Sequence, residues 1–409
     1  MEKYTMKYLN RRTKHLICIM FSVVACWFSI SASAAYFGEQ DSITIGRTGC
    51  NSVSYAQVPD KDGFFLGRQF FKADGSPITL EDGCGNNPAA SEAVKANRWG
   101  LVLDRLNWKE KSFSFVKPLL VTPAKITGGP MQGAIIKAAY DPDIVFYHGQ
   151  YWVAFECVLT DAIFGVAGTS SCLANFDIEK QEIRLESVYI AVSGKVTEGG
   201  KVFHSASVPS LLVVNDRLYL YWSEVTVAQG KFVRIGVRGA ELESDNNGYL
   251  WVKGAGGLAY STGSGTVEVW GPDPKSVLSN TAVDLKSIWV NSKNEVVAMV
   301  SLGGGGCATP AGDQPGCWRM AMAMADQPLG DHIFNKSPLL DEALLPTNSQ
   351  GYTRPVKNPS GGYSFIGVFY KPKNNEISQA RPAPRDWSRL GGGQNITFPF
   401  PDESLWPSR

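Results

Sequence analysis

Charge is scarce in this chain: Asp, Glu, Lys and Arg make up 19% of its 409 residues, and histidine occurs 4 times. Neither sign dominates, with 39 Lys and Arg against 38 Asp and Glu. That balance gives no footprint for nucleic acid or an anionic membrane. Close Cys-x-x-Cys pairs are missing and histidines are few, which argues against a metal centre. Asp-rich calcium loops are missing too. Gly303-Gly304-Gly305-Gly306 lacks a following Lys-Ser/Thr, so it is a rim loop and not a phosphate cradle. The sequence calls for no cofactor or metal and leaves room for at most one channel cation such as calcium. Long apolar runs are also wanting: Leu16 to Ile30 spans 15 residues, where a membrane span needs about 20.

Glycine and proline, in contrast, are plentiful, at 42 and 23 residues. That mixture fits many short strands joined by tight turns better than it fits helices. Residues 1–34 read as a signal peptide: Lys3, Lys7, Arg11, Arg12 and Lys14 precede the apolar run, and Ala32-Ser33-Ala34 offers a cleavage site. Their removal leaves a net charge of about −3 on the mature chain. The expected location is secreted, periplasmic or extracellular, with no membrane partner after cleavage and a monomeric chain. Six cysteines then remain, and an even count in an exported chain reads as disulfides. Proximity favours Cys50 with Cys84, Cys157 with Cys172, and Cys307 with Cys317. No linker interrupts residues 35–409, which are expected to form a single domain with a Pro/Gly-rich tail, 371–409, closing or flanking it.

A short phrase recurs along that domain. Asp141-Pro142-Asp143 leads an apolar strand, a turn at His148-Gly149, and a return strand through Tyr151-Trp152. Ser207-Val208-Pro209-Ser210 leads a second copy, turning at Asn215-Asp216 and returning through Tyr219 to Trp222. Weaker copies begin near Tyr55, Asp284 and Arg354, a period of roughly 65 to 90 residues. A hairpin unit too small to bury its own apolar face must stack on copies of itself. Outer strands are readable after the first four hairpins and indistinct after the fifth, and the Met/Ala stripe before Ala325 is placed in one by its position in the repeat. Five such units predict an all-β, five-bladed β-propeller.

In a propeller the first strand of each blade lines the central channel. Residues heading those strands, namely Tyr55, Asp141, Ser207 with Val208, Asp284 and Arg354, should therefore converge. Polar heads at matched positions favour a ligand site over simple packing. Trp152, Trp222 and Trp289 fall within blade strands, where packing between blades accounts for them better than stacking on a sugar.

At these residues the chain resembles the five-bladed propeller glycosidases, glycoside hydrolase family 43 and its relatives in families 32, 62 and 68. Asp141-Pro142 with Gly149-Gln150-Tyr151-Trp152 looks like the second-blade phrase, whose aspartate supports the catalytic acid. Ser207-Val208-Pro209 with the return to Ser223 resembles the third-blade phrase, where the family has a glutamate as general acid; here that position is Ser207. The family's base heads the first blade, and this chain has Tyr55 there. The resemblance implies a carbohydrate partner and covers most of the mature chain, but two of three catalytic positions do not carry over.

Glycoside hydrolysis requires two carboxyl groups across the scissile bond. Asp141 and Asp284 head non-adjacent blades and are the expected pair, with Arg354 positioning substrate or pairing structurally with an aspartate. Glu156 and Glu224 close their return strands near the same end of the channel. Either could replace the missing acid: Glu224 is the reserve acid, set against a solvated strand end, while for Glu156 the neighbouring Cys157 points instead to a structural corner. His204, Tyr55 and Ser207 complete the expected substrate contacts, although a lone loop histidine is more often neither ligand nor proton carrier. Two functions follow: a secreted glycoside hydrolase acting at the axial funnel, or a non-catalytic glycan-binding or surface-interaction propeller with a degenerate site.

Overall fold

The computed structural model describes residues 43–47, 52–78, 96, 98–159, 169–196, 202–228, 231–270, 282–303, 308–309, 312–313, 318–330, 333–334, 348–352, 354–370, 394–400 and 407. The expected signal peptide and Cys50, Cys84, Cys307 and Cys317 lie outside them. No helix among the described residues is long and apolar enough to cross a membrane.

Nearly all described structure is strand, arranged as five antiparallel units. Blade one holds Ser52–Gln57, Phe64–Phe70, Trp99–Asn107 and Ser112–Leu120. Blade two holds Ile135–Tyr147, Gln150–Leu159, Thr169–Asp177 and Tyr189–Ser193. Blade three holds Ser207–Val214, Arg217–Ala228 and Lys231–Ser244, with Leu250–Val252 and Val267–Trp270 on its outer edge. Blade four holds Ala282–Val290, Val296–Gly303, Trp318–Ala325 and Ile333–Phe334. Blade five takes Asn348–Tyr352 and Val356–Lys357 as its inner edge, then Tyr363–Tyr370 and Gln394–Phe400.

The inner strands touch in a closed circle, blade one to two, two to three, three to four, four to five, and five back to one. The tail enters blade five as Gln394–Phe400, while the N-terminal strand Ile43–Arg47 bonds antiparallel to it and parallel to the outer strand of blade one. One strand thus ties the last sheet to the first and leaves no open edge between them.

Local sequence explains the hairpins. Asn215 and Asp216 both have positive φ, as do His148 and Gly149, the geometry of two-residue turns whose twist matches the flanking strands. Trp152 and Trp222 are buried in one core shared by blades one to three, and Trp289 is buried against Phe365 of blade five at 5.6 Å between ring centres. The expectation of packing tryptophans holds. Cys157 and Cys172 form a disulfide across two neighbouring strands of blade two.

Candidate functional site

The inner strands of blades two, three and four each carry an extra residue where they approach the channel. The register slips between Tyr140 and Asp143, between Ser207 and Ser210, and between Leu285 and Ser287. Such bulges break the strict alternation of side chains and re-aim one residue. Asp141 and Val208 sit in two of them with φ of 45° and 46°, each followed by proline. The re-aimed residues meet at a cavity of about 200 Å³ lined by all five blades, among them Gln57, Asp141, Asp143, Val208, Ser210, Lys286 and Arg354.

The charges around this cavity are paired. Arg68 Nη1 of blade one lies 3.0 Å from Asp141 Oδ1 of blade two, both side chains largely buried. Asp284 Oδ1 accepts a 2.6 Å hydrogen bond from Ser223 Oγ, and its Oδ2 faces Lys286 Nζ at 2.5 Å. One step further along the channel, Asp143 Oδ2 accepts from Ser210 Oγ at 2.8 Å, Leu211 N–H at 2.7 Å and Arg354 Nη2 at 2.6 Å. Arg354 also donates to the carbonyl of Leu211. Its guanidinium therefore stitches blade five to blades two and three.

Glu156 does not line the cavity itself but is bonded to Val208, which does. Its Oε2 accepts the Val208 N–H at 2.9 Å. Burial pushes its carboxyl up to about 8, the negative charge of Asp141 raises it next, and Asp284 adds a little; the Val208 N–H and Arg68 pull the other way. Glu156 is thus held as a neutral acid next to an aspartate held by an arginine.

The residues expected from sequence are distributed unevenly. Asp141 faces the cavity. Asp284 sits beside it, with Lys286 taking the lining position in blade four. Arg354 reaches the cavity but pairs with Asp143, so the arginine–aspartate pairing exists with a partner other than Asp141 or Asp284. Glu224 is nearly buried, held by His204 Nδ1 at 3.0 Å, Arg238 Nε at 3.3 Å and the Thr226 hydroxyl at 3.2 Å. It follows Ser223 on a strand whose successive side chains point to opposite faces, so it faces away from Asp284. Ser207 is buried, with its Oγ against Thr169 Oγ1 at 2.8 Å and Ser205 Oγ at 2.9 Å. Tyr55 lies in the inner strand of blade one, and its side chain is outside the described residues.

Sequence reasoning passed over Arg68, Asp143 and Lys286, and weighed Glu156 as a replacement acid against a structural corner. A pattern in the repeat would have found two of them. The residue opposite the last position before the slip is Arg68 in blade one, Glu156 in blade two and Ser223 in blade three. Each reaches the inner strand of the next blade: Arg68 to Asp141, Glu156 to Val208, Ser223 to Asp284 and to Leu285 N–H.

Known structures share this architecture. A thermostable family-43 glycoside hydrolase superposes with a TM-score of 0.51 at 13% identity, over 91% of this chain and 97% of that one. An α-L-arabinofuranosidase from Lactobacillus brevis gives a TM-score of 0.51 at 10% identity, over 92% and 97%. The chain has the propeller fold of the family 43 glycoside hydrolases. No model of a known protein family matches its sequence, and no curated protein does either.

Proposed function

We propose that this chain is an exported, carbohydrate-active propeller that hydrolyses glycosidic bonds at its axial pocket. One observation carries the reading: all five blades contribute to one polar cavity in which an arginine-held aspartate, Asp141, faces the space where a sugar ring would sit. A cavity of about 200 Å³ is smaller than a typical site for a drug-sized ligand and suits one sugar unit. The family 43 hydrolase and the arabinofuranosidase of like fold support a glycan as the ligand. Export is supported by the leader-like residues 1–34 and by the Cys157–Cys172 disulfide.

In this reading Asp141 is the ionised carboxylate that takes a proton from the attacking water. Asp284, bonded to Ser223 and Lys286, sets the charge beside it. Ser207 favours a second reading, a glycan-binding propeller with a degenerate centre, because its hydroxyl stands where the family acid belongs and is tied into the contact between blades two and three.

The two readings separate in a screen for reducing sugar released from arabinan, xylan, galactan and the matching aryl glycosides. Hydrolysis predicts turnover by the wild type, a loss of at least about 100-fold in Asp141→Asn with glycan binding retained, and a smaller loss in Asp284→Asn. Binding without release of any sugar would leave the second reading standing.

A further inference from the structure

If the pocket hydrolyses glycosides, some group other than Ser207 must supply the proton to the leaving oxygen. We propose that Glu156 is that general acid, moved from the head of blade three to the end of the return strand of blade two. This rests on the hydrolytic reading of the same pocket.

The geometry favours Glu156 over the other carboxyls. Its Oε2 is bonded to the backbone N–H of Val208, the residue directly after Ser207, so its carboxyl group stands against the segment from which the family acid would project. It stands directly behind the cavity wall, bonded to Val208, which lines the cavity together with Asp141. Asp141, Asp143 and Asp284 are each already engaged by a cation at 3.0, 2.6 and 2.5 Å, and Glu224 faces away, held by Arg238 and His204. At Glu156, burial and two neighbouring anions act to keep the proton.

The step balances. The Glu156 carboxyl proton passes to the glycosidic oxygen as the bond from that oxygen to the anomeric carbon breaks. Water adds its oxygen to the anomeric carbon and gives one proton to the Asp141 carboxylate. Transfer of that proton to solvent and uptake of one by Glu156 restores the site, with one water consumed per bond.

The test compares leaving groups. Methyl and 2,4-dinitrophenyl glycosides of the sugar that the wild type cleaves fastest are assayed with wild type and Glu156→Gln. A proton donor is needed for methanol and hardly at all for dinitrophenolate. Glu156→Gln is expected to lose about 1,000-fold in kcat on the methyl glycoside and less than about 10-fold on the dinitrophenyl glycoside, with sugar affinity unchanged. Equal losses on both, or no loss on either, would overturn the assignment while leaving hydrolysis intact. A wild type that cleaves nothing overturns the hydrolytic reading itself. The pH profile of wild-type kcat/KM tests the same point without any variant, since activity should fall as pH rises through about 8. An alkaline limb that is absent up to pH 10 would count against Glu156.

Discussion

In blade two the bulge residue is Asp141 and in blade three it is Val208, at nearly the same φ and each before a proline. Two positions on, blade two has Asp143 and blade three has Ser210; opposite the pre-bulge residue, blade two has Glu156 and blade three has Ser223. The backbone device is the same, while the charges have gathered in blade two. A propeller repeats its frame because every blade must pack against the next, but only residues at the hub meet a ligand, so the hub is where copies of one phrase are free to diverge. Blade two brings three carboxyl groups to the hub, and its neighbour supplies an N–H, a hydroxyl and a wall.

The comparison breaks most sharply at the deepest pair. Asp143 is 7% exposed and anchors Arg354, whereas Ser210 donates one hydroxyl to the same carboxylate. Asp143→Ala leaves a guanidinium without its counter-ion between three blades and is expected to lower stability by about 3 kcal/mol. Ser210→Ala should cost about 1 kcal/mol. Urea midpoints of the two variants check this, and equal losses would mean that the hub is held by packing and not by the ion pair.

The next contrast is Glu156 against Ser223, read through pH. Glu156 has its carboxyl raised from an ordinary 4.5 to about 8 in the fold, so between those values the folded chain binds a proton that the unfolded chain has released. Its contribution to stability is therefore complete below about 4.5 and lost as pH rises through about 8, with a slope of at most about 1.4 kcal/mol per pH unit. Glu156→Gln should flatten that decline, and Ser223→Ala should leave its slope unchanged. Thermal melts at pH 5, 6, 7 and 8 distinguish them, and parallel curves for wild type and Glu156→Gln would show that Glu156 is ionised in the folded chain.

Much of this frame was legible in the sequence, and the reasons for what was not are physical. The phrase before each inner strand, the turns at His148-Gly149 and Asn215-Asp216, and the Cys157–Cys172 pairing all follow from local residues. Asp141 at the cavity followed from its place in the phrase. Lys286 did not, because an extra residue between Leu285 and Ser287 re-aims the strand, and a period of two has no means of announcing a bulge. Arg68 lies within a return strand, away from both the strand heads and the strand ends that the sequence singled out, and the cysteine beside Glu156 drew that residue towards a structural reading. Closure by Ile43–Arg47 was hidden for another reason: a lone strand far from its partner in sequence carries no phrase of its own.

The smallest expected effect concerns the bulge itself. Val208 is β-branched and sits at a φ of 46°, a region that costs non-glycine residues of order 1–3 kcal/mol and that asparagine and aspartate tolerate better. Asp141 already suits its bulge; Val208 is held there by the frame and by its N–H to Glu156. Val208→Asn keeps that N–H and eases the backbone, so it should raise stability by about 1 kcal/mol. Asp141→Asn eases nothing and removes the partner of Arg68, so it should lower stability slightly. Opposite signs in two variants that place the same residue at the same φ would show that the blades share strain as well as shape. A loss in Val208→Asn would place the cost in packing against the hub, and would make the valine a wall fitted to the pocket and not a residue tolerated by it.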